Sequence, residues 1–449
     1  MEPTFTLTSK IIRFIRLSIP IIITQFSLMA GAFISILLTG QYSTVHLAGI
    51  SVGYNIWISM FYGTMGVLLG ISPILGQLLG AKKKDTIPAI VGNGLYLATV
   101  LGLGLVALGI IGLKPVLSLL DLEPAAYDIS IKYMSFIGVA IVPLMWSCIL
   151  RNTVDSHGYT HYSMTVIFTS FLLNVFLNYG LILGHFGFPA MGGVGAGIAT
   201  AICSWYNVLA YTVILTNAKA FKGYQFFKNL GRPIRVYILD QIKLGVPIGF
   251  AIFCEMSIFS LAALLMAYYG TNIIAAHQAA ISFTNLFYGF PLSISIACTI
   301  AVSYEVGAKR YKDARTYAYI ARIMAIMIAM LICSYTFTHL REISGYYTTD
   351  PSMIQLIGSF LSYAVFFSVI DAFGTPLQGV LRGYKDVKIV SAIAISCYWG
   401  VSIPVVALFT YVFNYGPYGI WVGLLSSVAA AGVLYTWRTW YIQYRRYKI

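Results

Sequence analysis

Ile15-Arg16-Leu17-Ser18-Ile19-Pro20 opens a long apolar stretch, and Ile242-Lys243-Leu244-Gly245-Val246-Pro247 opens another at a fixed offset of 227 residues. At the same offset Thr44 matches Thr271, Ala48 matches Ala275, and Gly80-Ala81-Lys82-Lys83 matches Gly307-Ala308-Lys309-Arg310. Glu123-Pro124 matches Asp350-Pro351, and Ser135 matches Ser362. After a slip of a few residues Gly197-Ile198 matches Gly419-Ile420. One such match arises by chance; a series at one offset marks a duplicated unit.

Each unit holds six apolar runs. Runs of about 20 residues are long enough to cross a hydrocarbon core of roughly 30 Å at 1.5 Å rise per residue. They fall near 15–39, 46–79, 88–112, 128–150, 163–184, 191–216, 241–269, 272–304, 316–337, 353–379, 388–413 and 417–438. Lipid offers no partner to backbone N–H or C=O, so a span is a helix or part of a closed barrel. These runs lack the two-residue alternation of barrel strands, which selects helices. Six spans per unit is an even number, so both units insert in the same sense, a parallel repeat about an axis along the membrane normal. The expected fold is an all-α membrane protein of twelve transmembrane helices in two six-helix lobes, 1–216 and 239–449. A basic, Gly/Pro-punctuated linker at 217–238 joins them.

The composition agrees: 59% hydrophobic and 9% charged, against roughly a quarter charged in soluble domains. The net charge of +14 raises nucleic acid as a partner, but its distribution excludes that. Lys82, Lys83, Lys84, Arg151, Lys219, Lys222, Lys228, Arg232, Lys309, Arg310, Arg382, Lys385, Arg438 and Lys448 flank alternate loops and the C-terminus, while Lys114, Lys132 and Arg341 fall on the other side. This positive-inside bias puts both termini in the cytoplasm. The first segment exceeds a signal-peptide core and lacks a small-residue cleavage site, so it is read as retained. The six cysteines lie inside spans without a CxxC pair and read as small buried hydrophobes.

Two acids stand apart from the loops. Glu255 sits at the centre of span seven and Asp371 in the inner half of span ten. A charge at bilayer depth costs roughly 2.5–3.5 kcal/mol on insertion scales. The matched positions in the first half are Leu28 and Leu144, so packing alone does not call for an acid there. A permanently protonated, backbone-bonded carboxyl is the bland alternative. No basic residue is expected mid-span beside them, which favours a cationic passenger. Aromatic faces and methionine suit organic cations, which makes Met256, Phe283, Phe287 and Phe367 candidates to line the substrate cavity, against the plainer reading of core or lipid-facing residues. Asn174 and Asn178 share a face at i, i+4 and read as cavity lining or helix-packing glue. Pro20 and Pro247, at matched positions, are hinge candidates. His277 reads as interfacial, and Asp155 and Glu305 as partners of local Arg and Lys. Gly192-Gly193-Val194-Gly195-Ala196-Gly197 looks like a nucleotide loop but follows no strand, so close helix packing is the better reading. Walker A, HExxH and GxSxG motifs are absent, so energy comes from an ion gradient or transport is passive, and the chain is not read as an enzyme.

The chain resembles the multidrug and toxic compound extrusion family, NorM-type branch, over nearly its whole length. The residues that carry the resemblance are Gly76-Gln77-Leu78-Leu79-Gly80, Gly184-His185-Phe186-Gly187, Phe253-Cys254-Glu255 and Leu381-Arg382-Gly383-Tyr384-Lys385-Asp386. The resemblance implies an antiporter that exports organic cations, drugs or metabolites in exchange for Na⁺ or H⁺ by alternating access. It implies a bacterial inner-membrane setting, a monomer, and no cofactor beyond the coupling ion. It assigns that ion to Glu255 and Asp371; because Ser35 stands where the family often has a first-lobe aspartate, coupling is read as running through the second lobe, with Na⁺ ahead of H⁺. Two positions depart from the family pattern: Phe367 stands where a tyrosine occurs, and Ser35 where an aspartate often stands in the first span. A lipid or lipid-linked glycan flippase of the same superfamily is the alternative; its phosphate-bearing cargo would call for cationic cleft residues. A membrane-embedded enzyme or receptor is a third reading; an enzyme would need a polar catalytic cluster near an interface, and receptors rarely repeat six spans in parallel.

Overall fold

The computed structural model describes residues 4–118, 123–227 and 232–447, apart from the side chains at 56, 57 and 59. Lys228 and Lys448 of the charge pattern, and linker residues 228–231, lie outside the described residues. All regular structure among the described residues is helical, and twelve stretches are long and apolar enough to span a membrane.

The first half contains α1 (Leu7–Tyr42), α2 (Thr44–Leu68), α3 (Ile71–Gly80), α4 (Ile87–Ser118), α5 (Pro124–Ser156), α6 (Thr160–Leu183) and α7 (Gly193–Asn217). The second contains α8 (Arg235–Ala267), α9 (Thr271–Gly307), α10 (Tyr311–Thr338), the short α11 (Leu340–Gly345), α12 (Pro351–Gly383), α13 (Val387–Ile395), α14 (Ser402–Ala407) and α15 (Tyr418–Trp440). The second expected span is two helices, broken at Leu69-Gly70. The eleventh is α13 and α14 joined and extended by π-helical turns at 396–401 and 408–412.

Contacts divide the chain into two compact units, Met1–Ser18 with Phe250–Ile449, and Ile19–Gly249. The sequence divides the chain at the linker instead. Each cut between units falls beside a matched proline, Pro20 of α1 and Pro247 of α8. Both helices run unbroken through their proline, so the first turns of each belong to a different unit from the rest.

Within the second-half unit, the start of α1 is tied to α10. Lys10, 6% exposed, pairs with Asp313 at 2.6 Å, and Thr4 bonds Tyr317 at 2.8 Å. Within the first-half unit, the start of α8 packs on α2 through bare backbone. A Cβ at Gly245 would lie 1.9 Å from the Val67 carbonyl oxygen, and one at Gly249 would lie 2.4 Å from that of Gly63. This small-xxx-small approach is how membrane helices gain dispersion contact when water supplies no driving force.

Candidate functional site

The site is built on one face of α12. Asp371, Thr375, Gln378 and Arg382 recur at steps of four, three and four residues, so they stack along a single helical stripe. All are buried. Thr375 donates its hydroxyl to Asp371 Oδ1 at 2.8 Å, and Arg382 Nη2 donates to Gln378 Oε1 at 3.2 Å. Glu255 approaches from α8 and is 7% exposed; Asp371 is 5% exposed. The two carboxyls interact electrostatically. The Tyr288 hydroxyl of α9 lies within hydrogen-bonding reach of Glu255. Tyr398 and Tyr435 interact with both acids. The two acids singled out from sequence, more than a hundred positions apart in the chain, therefore share one polar interior.

A narrow cavity of about 20 Å³ opens beside Asp371, lined also by Tyr288, Thr284, Phe287, Phe367 and Ala329 among others. That space admits about one water-sized occupant. It is too small for an organic molecule and suited to a water or a stripped monovalent ion. Its polar lining is mostly oxygen, from Asp371, Tyr288, Thr284 and Ser368, with one sulfur from Cys333; the oxygens suit a hard cation or a proton. No cluster of three or more His, Cys, Asp or Glu occurs among the described residues.

One expectation is overturned. The acids are not without a basic neighbour: Arg382, 8% exposed, interacts electrostatically with Glu255 and Tyr288. It looked like part of the basic loop after span ten, but α12 runs on to Gly383 and carries it inside. The signal that could have found it is the repeat. Gln378 and Arg382 fall at the offset positions of Arg151 and Asp155, so both halves place a polar i, i+4 pair at the same end of the fourth span. His277, near the start of α9, is fully buried and edge-on to Trp421 with 5.5 Å between centroids.

The other candidates fall as follows. Phe283 and Phe287 are adjacent rings, 4.4 Å between centroids, and Phe367 meets Phe259 edge-on at 5.5 Å. Met256 is 38% exposed on α8. Asn178 and Asn174 lie in the other unit, where Asn178 Nδ2 donates to Asn174 Oδ1 at 2.8 Å, beside Gly31 of α1 and Cys203 of α7. Glu305 pairs with Arg310, as expected. Asp155 is buried and interacts with Arg151 and Ser163. All six cysteines are buried and free.

Twelve helices long and apolar enough to cross a membrane, with a carboxyl pair buried inside one of the two units, define a multi-pass membrane protein. The model of the MatE family matches residues 20–180 and again 247–408, starting at the two matched prolines; this chain belongs to that family. It is 40% identical to the Probable multidrug resistance protein NorM of Oceanobacillus iheyensis over 99% of both chains. It is 38% identical to a protein of the same name from Bacillus cereus, over 100% of this chain and 99% of that one. In fold it is similar to the crystal structure of the eukaryotic MATE transporter AtDTX14, with a TM-score of 0.85 at 19% identity over 98% of this chain and 99% of that one.

Proposed function

We propose that this transporter is a multidrug efflux antiporter that exports organic cations in exchange for Na⁺ or H⁺ taken up at Glu255 and Asp371. The observation that carries this reading is the burial of those two interacting carboxyls, with Asp371 lining a water-sized cavity. Buried like charges raise each other's energy, and binding one cation relieves them. The energy of that relief depends on which species fills the site, and this is what coupling requires. The names of the relatives support drug efflux as the outcome.

The multi-pass chain sits in the bacterial cell membrane with both termini in the cytoplasm, on the side where Lys82–Lys84, Lys309 and Arg310 collect. It works as a monomer, needs no cofactor besides the coupling ion, and has its lobes cut at the repeat, 1–216 and 239–449. Pro20 and Pro247 act as hinges: each removes a helical hydrogen bond beside the point where its helix passes from one compact unit to the other. Asn174, Asn178, Met256, Phe283, Phe287 and Phe367 serve substrate binding. The cavity at Asp371 is too small for the substrate, so Phe287 and Phe367, which border it, place a drug next to the ion without sharing its space.

Export of ethidium from proteoliposomes, with an imposed Na⁺ gradient and an imposed pH gradient applied one at a time, tests the reading. One of the two gradients drives export. Export indifferent to both would sink it.

A further inference from the structure

A charged group inside an apolar interior is tolerated when its neighbours balance it. The groups facing Glu255 provide the balance sheet. From α8 comes Glu255 itself, from α12 Asp371 and Arg382, from α9 Tyr288, and from α15 Tyr435, with Tyr398 on the π-helical stretch after α13. Tyrosines are neutral at ordinary pH and arginine stays charged. Two carboxylates and one guanidinium leave one unbalanced negative charge.

The first half supplies the control. At the positions of Gln378 and Arg382 it carries Arg151 and Asp155. There the positive and negative side chains stand one turn apart on the same helix and interact with each other, so that pair has no surplus charge. In the second half the arginine occupies the position of the acid, and its negative partner comes from α8. Arg382 is held by a single hydrogen bond to Gln378, its Nε has no partner, and it faces Glu255 as a fixed positive charge.

We propose that Arg382 is the built-in counter-charge of the Glu255–Asp371 pair, and that it sets the number of monovalent cations the site takes up at one per chain. The proposal rests on the ion-coupling reading above and deepens it. With one cation entering for each monovalent organic cation leaving, exchange moves no net charge. Removing the guanidinium leaves two negative charges to satisfy, so a second cation is carried and exchange becomes charge-moving. Arg382 is thus a positioning residue for charge, not a ligand of the ion.

The test uses full-length protein in proteoliposomes, ethidium as the probe, and a membrane potential set by potassium and valinomycin. Wild-type exchange is indifferent to the potential. Arg382→Gln makes it potential-dependent: one extra charge crossing 100 mV changes the equilibrium accumulation by up to roughly 50-fold. Arg382→Lys keeps the charge and keeps the wild-type indifference. A second arm holds if Arg382→Gln fails to fold. Asp371→Asn alone cancels the surplus charge and stops ion uptake, and Asp371→Asn with Arg382→Gln restores a single surplus charge and regains gradient-driven export. Equal potential dependence in wild type and Arg382→Gln would overturn the proposal. So would a folded but inactive Arg382→Lys, or a double variant that stays as inactive as Asp371→Asn. A wild type that answers to neither gradient would instead defeat the ion-coupling reading, which separates the two failures.

Discussion

The two halves of this transporter share a plan and differ in chemistry at the same positions. Where α8 and α12 carry Glu255 and Asp371, α1 and α5 carry Leu28 and Leu144. Where the second half has Gln378 and Arg382, the first has a self-balanced Arg151 and Asp155. The Asn174–Asn178 pair of the first half is uncharged and bonded to itself. The first half has thus kept the scaffold while the second has concentrated unbalanced charge. The lesson is that duplication supplies its own control: the same two helices of the first half form with leucine at both positions, so helix formation does not call for an acid there.

The largest expected effect breaks that comparison directly. Glu255→Gln or Asp371→Asn abolishes gradient-driven ethidium export in proteoliposomes while the protein still inserts, because each removes the charge that calls for a cation. The reciprocal change, Leu28→Glu, puts a carboxyl at a position that is 44% exposed, without a counter-charge or a cavity. It costs roughly 2.5–3.5 kcal/mol on the insertion scale, read as less protein inserted in the membrane, and adds no ion dependence. Ion dependence gained by Leu28→Glu would show that the halves are interchangeable after all.

The second effect is steric. Gly245 and Ser18 are matched, and each lies just before the proline beside which its helix changes unit. Gly245 has the Val67 carbonyl 1.9 Å from where its Cβ would stand, whereas Ser18 is buried with a Cβ already accommodated and an Oγ without a partner. Gly245→Ser therefore forces backbone apart and destabilises by at least ~1–3 kcal/mol. Ser18→Gly costs about 1 kcal/mol or less. Thermal unfolding midpoints of the two variants in one detergent check the asymmetry; equal shifts would remove the distinction between the two crossings.

Much of this was legible in the sequence, for identifiable reasons. Span length and repeat offset are set by bilayer thickness and by the chain's register, and both survive in a linear reading. Glu255 and Asp371 were legible because a charge is costly at that depth and because their matched positions are leucines. Arg382 was not, since a residue at a span end is counted as topology until the helix is seen to carry it inward. The break at Leu69-Gly70 was not legible either, because Gly70 is explained by the Gly245 backbone it faces, far along the chain. The covering of His157 belongs to the same class: its cage comes from residues 221–226, which read as a basic linker.

That cage gives the third prediction. His157 and Tyr384 are matched, and each follows the fourth span of its half. His157 meets the rings of Phe221, Tyr224 and Phe226 edge-on, while Tyr384 lies against Tyr447. So in each half aromatic rings from beyond the sixth span lie against this position. Burial pushes the His157 imidazole down to about 4, against an unfolded value near 6.5. A folded value below the unfolded one means the native state disfavours the proton. The contribution is whole above about pH 6.5 and is lost as pH falls from there to about 4, by at most roughly 1.4 kcal/mol per pH unit. Hydrogen-exchange protection across 218–227, corrected for the intrinsic pH dependence of exchange, therefore falls on acidification through that window, and His157→Phe removes the response. Protection across 441–447, which covers Tyr384, stays level over the same range. A matching acid response in that tail would place the sensitivity outside His157.

The smallest effect sharpens the comparison at the helix starts. Glu123-Pro124 and Asp350-Pro351 are matched N-termini. The Asp350 carboxyl accepts from the backbone N–H of Ser352 at 3.0 Å and from its hydroxyl at 2.9 Å, whereas Glu123 makes no side-chain cap. One methylene separates them: the shorter aspartate reaches the exposed amides and the glutamate overshoots. The Ser352 bonds hold the Asp350 carboxyl below its usual value, so this cap is present at neutral pH and fades only as pH falls through that lowered value. Glu123→Asp should then install the missing cap on α5 and raise stability by up to ~1 kcal/mol, read as a higher unfolding midpoint at neutral pH. Asp350→Glu should do the reverse at α12. If Glu123→Asp leaves the midpoint unchanged while Asp350→Glu lowers it, the difference between the two starts lies in the backbone around Glu123 and not in the length of its side chain.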